Sequence, residues 1–195
     1  MTNDPLNWHA HLQVERWDAE QTEWVQRHMG LARLNRRTPT AEDFRRAGVD
    51  PYEATEVVEN LLTTAGLTRI TALIVGAGGQ AASNLATRLG LGNGAGGAAI
   101  TDTDLGAAAG AANRWYQIMD ATFPTTAAGV ITFKSTFASA DGNFAWNEFA
   151  IDVAAPTDAT SAVVGATLLN HKTAIAQGTK TAGQTWAATA TITLS

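Results

Sequence analysis

The chain closes with Gln184-Thr-Trp-Ala-Ala-Thr-Ala-Thr-Ile-Thr-Leu-Ser195, and this stretch decides the fold class. Its side chains alternate between two faces. One face carries Trp186, Ala188, Ala190, Ile192 and Leu194, and the other carries Thr185, Ala187, Thr189, Thr191 and Thr193. A repeat of two residues is typical of a strand that buries one face. The closing stretch therefore predicts a half-buried antiparallel strand.

Similar patterns occur elsewhere in the chain. Trp8 to Trp17 alternates in the same way, and strand-like sequences fill most of the chain from Val130 onward. Asp141-Gly142 is a strong hairpin signal between two of these runs. Together they predict a mainly β fold: an antiparallel β-sandwich of about seven strands, immunoglobulin- or jelly-roll-like, with one or two packed helices.

One helix is predicted inside the sandwich domain. Leu67, Ile70 and Ile74 recur with helical spacing, which favours a helix over Thr64 to Val75. The glycines of Gly76-Ala-Gly-Gly79 are suited to end it. The alanine-rich stretch from Asp102 to Asn113 is a second helical candidate.

Residues 18–53 are more polar than the sequence on either side and contain most of the arginines of the chain. We predict a polar helical insertion there, carried by a sandwich domain made of residues 1–17 and 54–195. Within it, Glu20 to Met29 fits a short helix, Thr40-Ala-Glu-Asp43 is a capping box for a second, and Asp50-Pro51 has the form of a further helix start. Residues 54–60 fit a helix or a strand, and both interpretations stay open.

Composition excludes several classes of function. The 195 residues contain no cysteine, which excludes disulfides and thiolate metal sites. A net charge of −5 argues against binding to nucleic acid, which favours a basic surface. No signal peptide is visible, and the longest apolar run is too short to span a bilayer, so no membrane partner is expected.

One motif suggests nucleotide binding. Gly76-x-Gly78-x-x-Ala81 follows an apolar run and matches the dinucleotide-binding fingerprint, with Asp102 as the acidic residue further on. That motif requires repeated strand–helix–strand units, and the C-terminal half shows antiparallel patterns instead. A nucleotide-binding protein using Gly76 and Gly78 is therefore kept only as an alternative, and no cofactor is expected.

The remaining polar groups predict neither a metal site nor an enzyme. His9 and His11 share a strand face, and a third zinc ligand would have to come from His28, His171 or Glu15; a solvated polar face is the favoured interpretation. No serine lies in a Gly-x-Ser-x-Gly elbow. Two carboxylate pairs have non-catalytic interpretations: Asp102 and Asp104 as turn caps, Glu148 and Asp152 as surface or interface charges.

The tryptophans and arginines point to a partner. Trp115, Trp146 and Trp186 are interpreted as core anchors, whereas two tryptophans and six arginines belong to the insertion or its edge. Tryptophan and arginine are enriched where protein interfaces bind most strongly. The predicted partner interface consists of Trp17, Trp24, Arg27, Arg33, Arg36, Arg37, Arg45 and Arg46. A carbohydrate-binding groove at Trp17 and Trp24 is a further alternative.

Several stretches resemble structural proteins of tailed bacteriophage virions. They include Glu59 to Leu67, Ala86 to Gly94, Arg114 to Pro124, Phe133 to Phe137, Asn143-Phe-Ala-Trp-Asn-Glu148, Leu168-Leu-Asn-His-Lys172, Gly178 to Trp186 and the closing Thr-Ile-Thr-Leu-Ser195. The resemblance covers residues 6–17 and 57–195. The closing pattern is also similar to collar and fibre-attachment domains of phage tails.

The resemblance implies a non-enzymatic virion component and no catalytic residues. The expected role is a capsid decoration or cement protein on the head exterior, assembled in the host cytoplasm. Its expected partners are the major capsid protein and copies of itself, with a trimer around a lattice axis as the expected oligomer. A tail-fibre, collar or baseplate adaptor module is the alternative within the same class.

Overall fold

The computed structural model describes residues 8–31, 37–153 and 167–194, and within them the protein is a mainly β sandwich. Its ten described strands are β1 (Trp8–Trp17), β2 (Glu53–Val58), β3 (Leu61–Leu62), β4 (Thr87–Gly92), β5 (Arg114–Ile118), β6 (Thr125–Ala127), β7 (Val130–Phe137), β8 (Glu148–Val153), β9 (Thr167–Thr173) and β10 (Thr185–Leu194). They form two antiparallel five-stranded sheets, ordered β2-β1-β10-β7-β6 and β3-β9-β8-β4-β5. The predicted fold class is confirmed, with ten strands rather than about seven.

The first and last described strands are neighbours in the first sheet. They pair over their whole length, from Trp8 opposite Leu194 to Trp17 opposite Thr185. Ala188, Ala190 and Ile192 are buried on the inner face, as the alternation predicts. Because β1 and β10 pair with each other, detaching either strand from the sheet would break contacts between residues far apart in sequence.

The main core lies between the sheets. Leu12 and Val14 from the first sheet and Leu89 and Ile151 from the second are fully buried in it. Trp146 packs edge-on against both Phe137 and Trp186, with ring centroids 4.8 Å apart in each pair. Trp146 and Trp186 are therefore core anchors as predicted, and Trp115 is partly buried against the same core.

Three helices are described: α1 (Ala19–His28), α2 (Ala41–Arg46) and α3 (Thr64–Ile74). Each begins at a capping residue with extended backbone, namely Asp18, Thr40 and Thr63. The capping box predicted at Thr40 and Asp43 is present. All three agree with predicted helices.

One helical candidate is wrong, and one open question is answered. Asp50-Pro51 begins no helix, because the chain runs directly into strand β2, which pairs with β1. Residues 54–58 are accordingly strand. The alanine-rich stretch from Asp102 to Asn113 forms turns and bends, because the N–H groups of Gly106 and Ala107 in its middle are bound to the Glu148 side chain.

The insertion packs on one end of the outer face of the first sheet. Trp17 and Ala187 point outward from that sheet and are buried together with Val25, Ala41 and Phe44 in a second apolar cluster. The Trp17 ring stacks on Phe44 with centroids 4.4 Å apart. Helices α1 and α2 thus form a third layer on the sandwich.

No helix within the described ranges is long and apolar enough to cross a membrane.

Candidate functional site

A buried carboxylate fastens a glycine- and alanine-rich segment, residues 93–113, to the outer face of the second sheet. Glu148, the first residue of β8, is fully buried there. Its Oε1 accepts hydrogen bonds from the backbone N–H groups of Gly94, at 3.2 Å, and Ala107, at 2.7 Å. Its Oε2 accepts another from Gly106, at 2.8 Å. One carboxylate therefore holds this segment at two places far apart in sequence.

The glycines beside Glu148 give the carboxylate its space. A Cβ atom on Gly92 or on Gly94 would lie 2.4 Å from Glu148 Oε1, far inside van der Waals contact. A Cβ atom on Gly94 would also lie 2.8 Å from the backbone nitrogen of Ala107. Glycine at position 94 lets the backbone approach the carboxylate closely enough to donate to it, and glycine at position 92 leaves room for the carboxylate.

His171 lies between Glu148 and a second carboxylate. Its Nδ1 is 2.6 Å from Oδ2 of Asp102, and its Nε2 is 2.9 Å from Oε2 of Glu148. The imidazole is 2% exposed. Because a carboxylate faces each ring nitrogen, the protonated ring can donate to both, and the neutral ring can donate to only one. The geometry therefore selects the imidazolium form.

The pKa values follow from this arrangement. Burial lowers the pKa of His171, but its hydrogen bonds with Glu148 and Asp102 outweigh that effect and the pKa is raised. Burial raises the pKa of Glu148, but hydrogen bonds from His171, Gly106 and Ala107 outweigh it and the pKa is lowered. Asp102 likewise has a lowered pKa, because hydrogen bonds from Ala99 and His171 outweigh its burial. The two carboxylates are therefore ionised near neutral pH, and the raised pKa of His171 favours its imidazolium form.

A second ionic cluster lies next to the first. Asp104 Oδ2 accepts a hydrogen bond from Nη1 of Arg114 at 2.8 Å, and Oδ1 accepts from the Tyr116 hydroxyl and from the Leu105 N–H. Burial and the Asp104 carboxylate raise the pKa of the Tyr116 phenol, so it stays a neutral donor. This cluster fixes the far half of the 93–113 segment over β5.

Asp152 is a buried acid that no described side chain pairs with. Its side chain is fully buried on the same face as Glu148, and within the described ranges neither carboxylate oxygen has a donor in good hydrogen-bonding geometry. Burial, with the negative charge of Asp104, raises its pKa to about 7, although the nearby Arg88 acts in the opposite direction. Asp152 is therefore close to half protonated at neutral pH.

The prediction that Glu148 and Asp152 are surface or interface charges is wrong. Both are fully buried, because the 93–113 segment covers their side of the second sheet. Asp102 and Asp104 do cap turns as predicted, accepting from the N–H groups of Ala99 and Leu105. Sequence reasoning did not predict their pairing with His171 and Arg114, which lie 69 and 10 residues away.

The cluster of Glu148, His171 and Asp102 lacks the geometry of a catalytic triad. A histidine base needs one ring nitrogen facing a nucleophile, and in His171 both nitrogens face carboxylates. Glu148 is held by four donors and has no face open to solvent. The charges therefore stabilise the fold of the 93–113 segment.

The dinucleotide fingerprint fails on geometry. Gly76 and Gly78 follow the C-terminus of α3, and no helix follows them before β4. A pyrophosphate would need the N-terminus of a following helix, where the backbone N–H groups point at it. Gly78 and Asp102 do line one open cleft of about 660 Å³, but its glycine edge adjoins the C-terminal end of α3.

The histidine pair does not form a metal site in the described part of the chain. His11 contacts Glu56 at 3.1 Å on the exposed outer face of the first sheet. Of the suggested third ligands, Glu15 binds Lys134 and His171 is buried behind the other sheet. No group of three or more histidine, aspartate or glutamate side chains within the described ranges is arranged to hold a metal ion.

The two insertion tryptophans have different environments. Trp17 is fully buried, and its Nε1 donates to the carbonyl of Val49 at 3.1 Å, so the prediction that it contacts a partner or a glycan is wrong. The prediction rested on its position at the edge of the arginine-rich insertion. Trp24 is 42% exposed and stacks on His28, and its assignment to an interface stays a prediction.

Each described arginine of the predicted interface pairs with an acid of the same chain. Arg27 contacts Glu23, Arg37 binds Asp43, and Glu42 binds both Arg45 and Arg46. Arg33 and Arg36 lie outside the described residues. The Arg37 pair is the most buried of these, and its hydrogen bonds help to lower the pKa of Asp43 to about 2 against the effect of burial. The other pairs lie on the surface, where each contributes little to stability.

An exposed apolar surface lies on α3, at the edge of the second sheet. The α3 surface is made of Leu67, Leu73, Ile74 and Val75, with Ile74 and Val75 exposed to 77% and 75%. From residue 61 to residue 86 the only charged side chain is Arg69. Arg69 is bound within the chain, since Nη2 donates to Thr167 Oγ1 at 2.8 Å and Nη1 to the carbonyl of Gln80 at 3.2 Å.

Comparison with protein-family models, with curated proteins and with solved structures found no match to this chain.

Proposed function

We propose that this chain is a non-enzymatic structural component of a tailed bacteriophage virion, and that it decorates the exterior of the capsid. The observation that carries the proposal is the exposed α3 surface. Large apolar side chains left exposed together, in a stretch almost without charge, are typical of protein interaction sites. The acidic and histidine residues that could have served catalysis are used to hold a loop instead.

The architecture is suited to such a role. The chain itself covers part of each outer face of the sandwich: the insertion packs on one end of the first sheet, and the 93–113 segment packs on the second sheet. The first and last described strands are paired along ten residues. A decoration protein gains its effect by binding the assembled state, which it stabilises by mass action, and a rigid fold limits the entropy lost on binding.

The insertion supplies the second proposed contact, with the major capsid protein. Trp24 is exposed, and Arg27, Arg45 and Arg46 lie on the surface beside acids that they could exchange for acids of the partner. Arg37 is more strongly held, by Asp43. Repetition of such contacts over a symmetric lattice supplies avidity that a single weak contact lacks.

Copy number tests the proposal. Quantitative mass spectrometry of purified particles of the phage that encodes this chain should find it in numbers comparable with the capsid protein, because a decoration protein repeats with the lattice. A handful of copies per particle would favour the tail-fibre, collar or baseplate adaptor instead. Absence from purified particles would contradict any virion role.

A further inference from the structure

One lysine is buried at the end of the sandwich where the chain crosses between the two sheets. Lys180 lies in the connection between β9 and β10, and it is only 1% exposed. Lysine is almost never fully buried unless it is paired, because removing an ammonium group from water costs free energy. Within the described ranges, however, the hydrogen-bonding partners of its Nζ atom are two neutral oxygens.

These two oxygens suit a neutral amine better than an ammonium group. Nζ donates to the carbonyl oxygen of Ala138 at 2.7 Å and to Oδ1 of Asn143 at 2.9 Å. An uncharged amine has two N–H donors and a lone pair, so these oxygens satisfy both donors. The ammonium form has a third N–H, for which the described part of the chain offers no acceptor. The geometry therefore favours an amine with its lone pair available.

The pKa of Lys180 agrees with this arrangement. Burial lowers the pKa to about 8, although the negative charge of Asp141 acts in the opposite direction. Half of the molecules thus carry the neutral amine near pH 8. A neutral amine is a nucleophile, and burial in an apolar environment is one of the ways in which proteins activate a lysine.

The side-chain amide of Asn143 is held beside this nucleophile. Its Nδ2 donates to the carbonyl of Ser139 at 3.1 Å, while its Oδ1 accepts from Lys180. Because a C=O bond is about 1.2 Å long, Nζ lies within about 4 Å of the carbonyl carbon Cγ. A rotation of the lysine side chain is enough to move Nζ from beside Oδ1 to above Cγ, at an attack distance of about 3–3.5 Å.

Backbone hydrogen bonds keep the two side chains together. The N–H of Lys180 donates to the carbonyl of Phe144 at 3.1 Å, and the N–H of Trp146 donates to the carbonyl of Gly178 at 2.9 Å. The connection that carries Lys180 is therefore paired with the one that carries Asn143. Reactants held in this way can behave as if present at about 10⁵ M or more, so a reaction that is very slow between free molecules becomes feasible.

We propose that Lys180 and Asn143 form an intramolecular isopeptide bond. Nζ of the neutral lysine attacks Cγ of Asn143, so that the Nζ–Cγ bond forms and the Cγ–Nδ2 bond breaks. One proton passes from the attacking nitrogen to Nδ2, which leaves as ammonia. The step needs no oxidant, cofactor or second molecule.

The bond closes one end of the sandwich covalently. Asn143 lies between β7 and β8, and Lys180 lies between β9 and β10, so each belongs to a connection that crosses from one sheet to the other. Joining them fastens the two sheets to each other, and it replaces a buried amine with a neutral amide. The bond would form whatever the chain binds, and its presence is independent of the proposed virion role.

Intact-mass spectrometry of the purified full chain tests the bond. After incubation at pH 9, where most of Lys180 is neutral, the wild type should be lighter than its sequence by about 17 Da, the mass of the released ammonia. Lys180→Arg keeps a donor but removes the nucleophile, and Asn143→Ala removes the amide, so both variants should keep their full mass. The matched control is Lys172→Arg on β9, which should still lose ammonia.

Peptide analysis separates the isopeptide bond from other losses of ammonia. A succinimide at Asn93, which precedes Gly94, would have the same mass but would persist in Lys180→Arg and in Asn143→Ala. Tryptic digestion of the wild type should give one branched peptide that contains both Asn143 and Lys180, because trypsin does not cleave after an acylated lysine. A wild type that keeps its full mass after incubation, or a loss that persists in both variants, would overturn the bond.

Discussion

The Nε2 atom of His171 lies 2.9 Å from Oε2 of Glu148, and both side chains are buried beneath a loop that Glu148 itself holds. These buried charged groups stabilise the fold, as the apolar side chains of the core do. Glu148 replaces the hydrogen bonds that water would otherwise make to Gly94, Gly106 and Ala107.

Glu148→Gln should destabilise the protein by about 3 kcal/mol. The amide keeps the shape, but its NH₂ group faces a donor where a carboxylate oxygen accepted one, and the buried charge of His171 loses a partner. Urea denaturation measures the change. The control is Glu56→Gln, an exposed glutamate beside His11, which should change the free energy of unfolding by less than about 0.5 kcal/mol. Equal effects of the two substitutions would contradict the role given to Glu148.

Gly94→Ala should cost about 1–3 kcal/mol, because the new methyl group would overlap Glu148 Oε1 and the Ala107 nitrogen. Gly96→Ala is the matched control in the same loop. A Cβ atom on Gly96 would meet nothing within 4 Å, so this variant should unfold at the same denaturant concentration as the wild type or slightly higher. Similar losses in both variants would indicate that the loop tolerates no side chain for some other reason.

Asp152→Asn should change how stability depends on pH. The pKa of Asp152 is about 7 in the folded protein, above its ordinary value of 3.8, so its contribution is fully present below pH 3.8 and is lost as pH rises through about 7. The asparagine variant lacks this loss and should gain about 2–4 kcal/mol on the wild type between pH 4 and pH 8. His171 titrates in both proteins, so the difference isolates Asp152. Parallel curves of unfolding free energy against pH would contradict an acid buried without a partner.

Trp17→Ala and Trp24→Ala should differ strongly in their effect on the stability of the protein. Trp17 is buried between the first sheet and Phe44, so its removal should cost about 3–5 kcal/mol. Trp24 is 42% exposed, and its removal should change the thermal midpoint little. If Trp24 contacts the capsid, as proposed, its loss should instead lower incorporation into particles. A folded Trp17→Ala variant of wild-type stability would show that the insertion is not packed on the sheet.

Much of the fold could be predicted from local patterns. Alternation from Trp186 to Leu194 identified both the last strand and its buried face, because that pattern depends only on neighbouring residues. The burial of Glu148 depends on Gly94, Gly106 and Ala107, which reach it from 54, 42 and 41 residues away. Charged residues are usually exposed, so nothing local distinguished Glu148 or Asp152 from surface carboxylates.

The wrongly predicted elements have the same cause. Residues 102–113 have a composition that favours a helix, but side chains of Glu148 and Asp104 bind their N–H groups in another conformation. By contrast, Gly76 and Gly78 were predicted to end a helix, and α3 does end just before them. Residues 102–113 instead depend on contacts from elsewhere in the chain. Tertiary contacts decide such cases, and a single sequence does not display them.

Electron micrographs of particles assembled with and without this chain test the central claim most directly. The proposed decoration role predicts extra density repeated over the capsid exterior when the chain is present, and smooth, less stable heads when it is absent. Heads that look identical in both preparations, with the difference confined to the tail or with no difference at all, would contradict it.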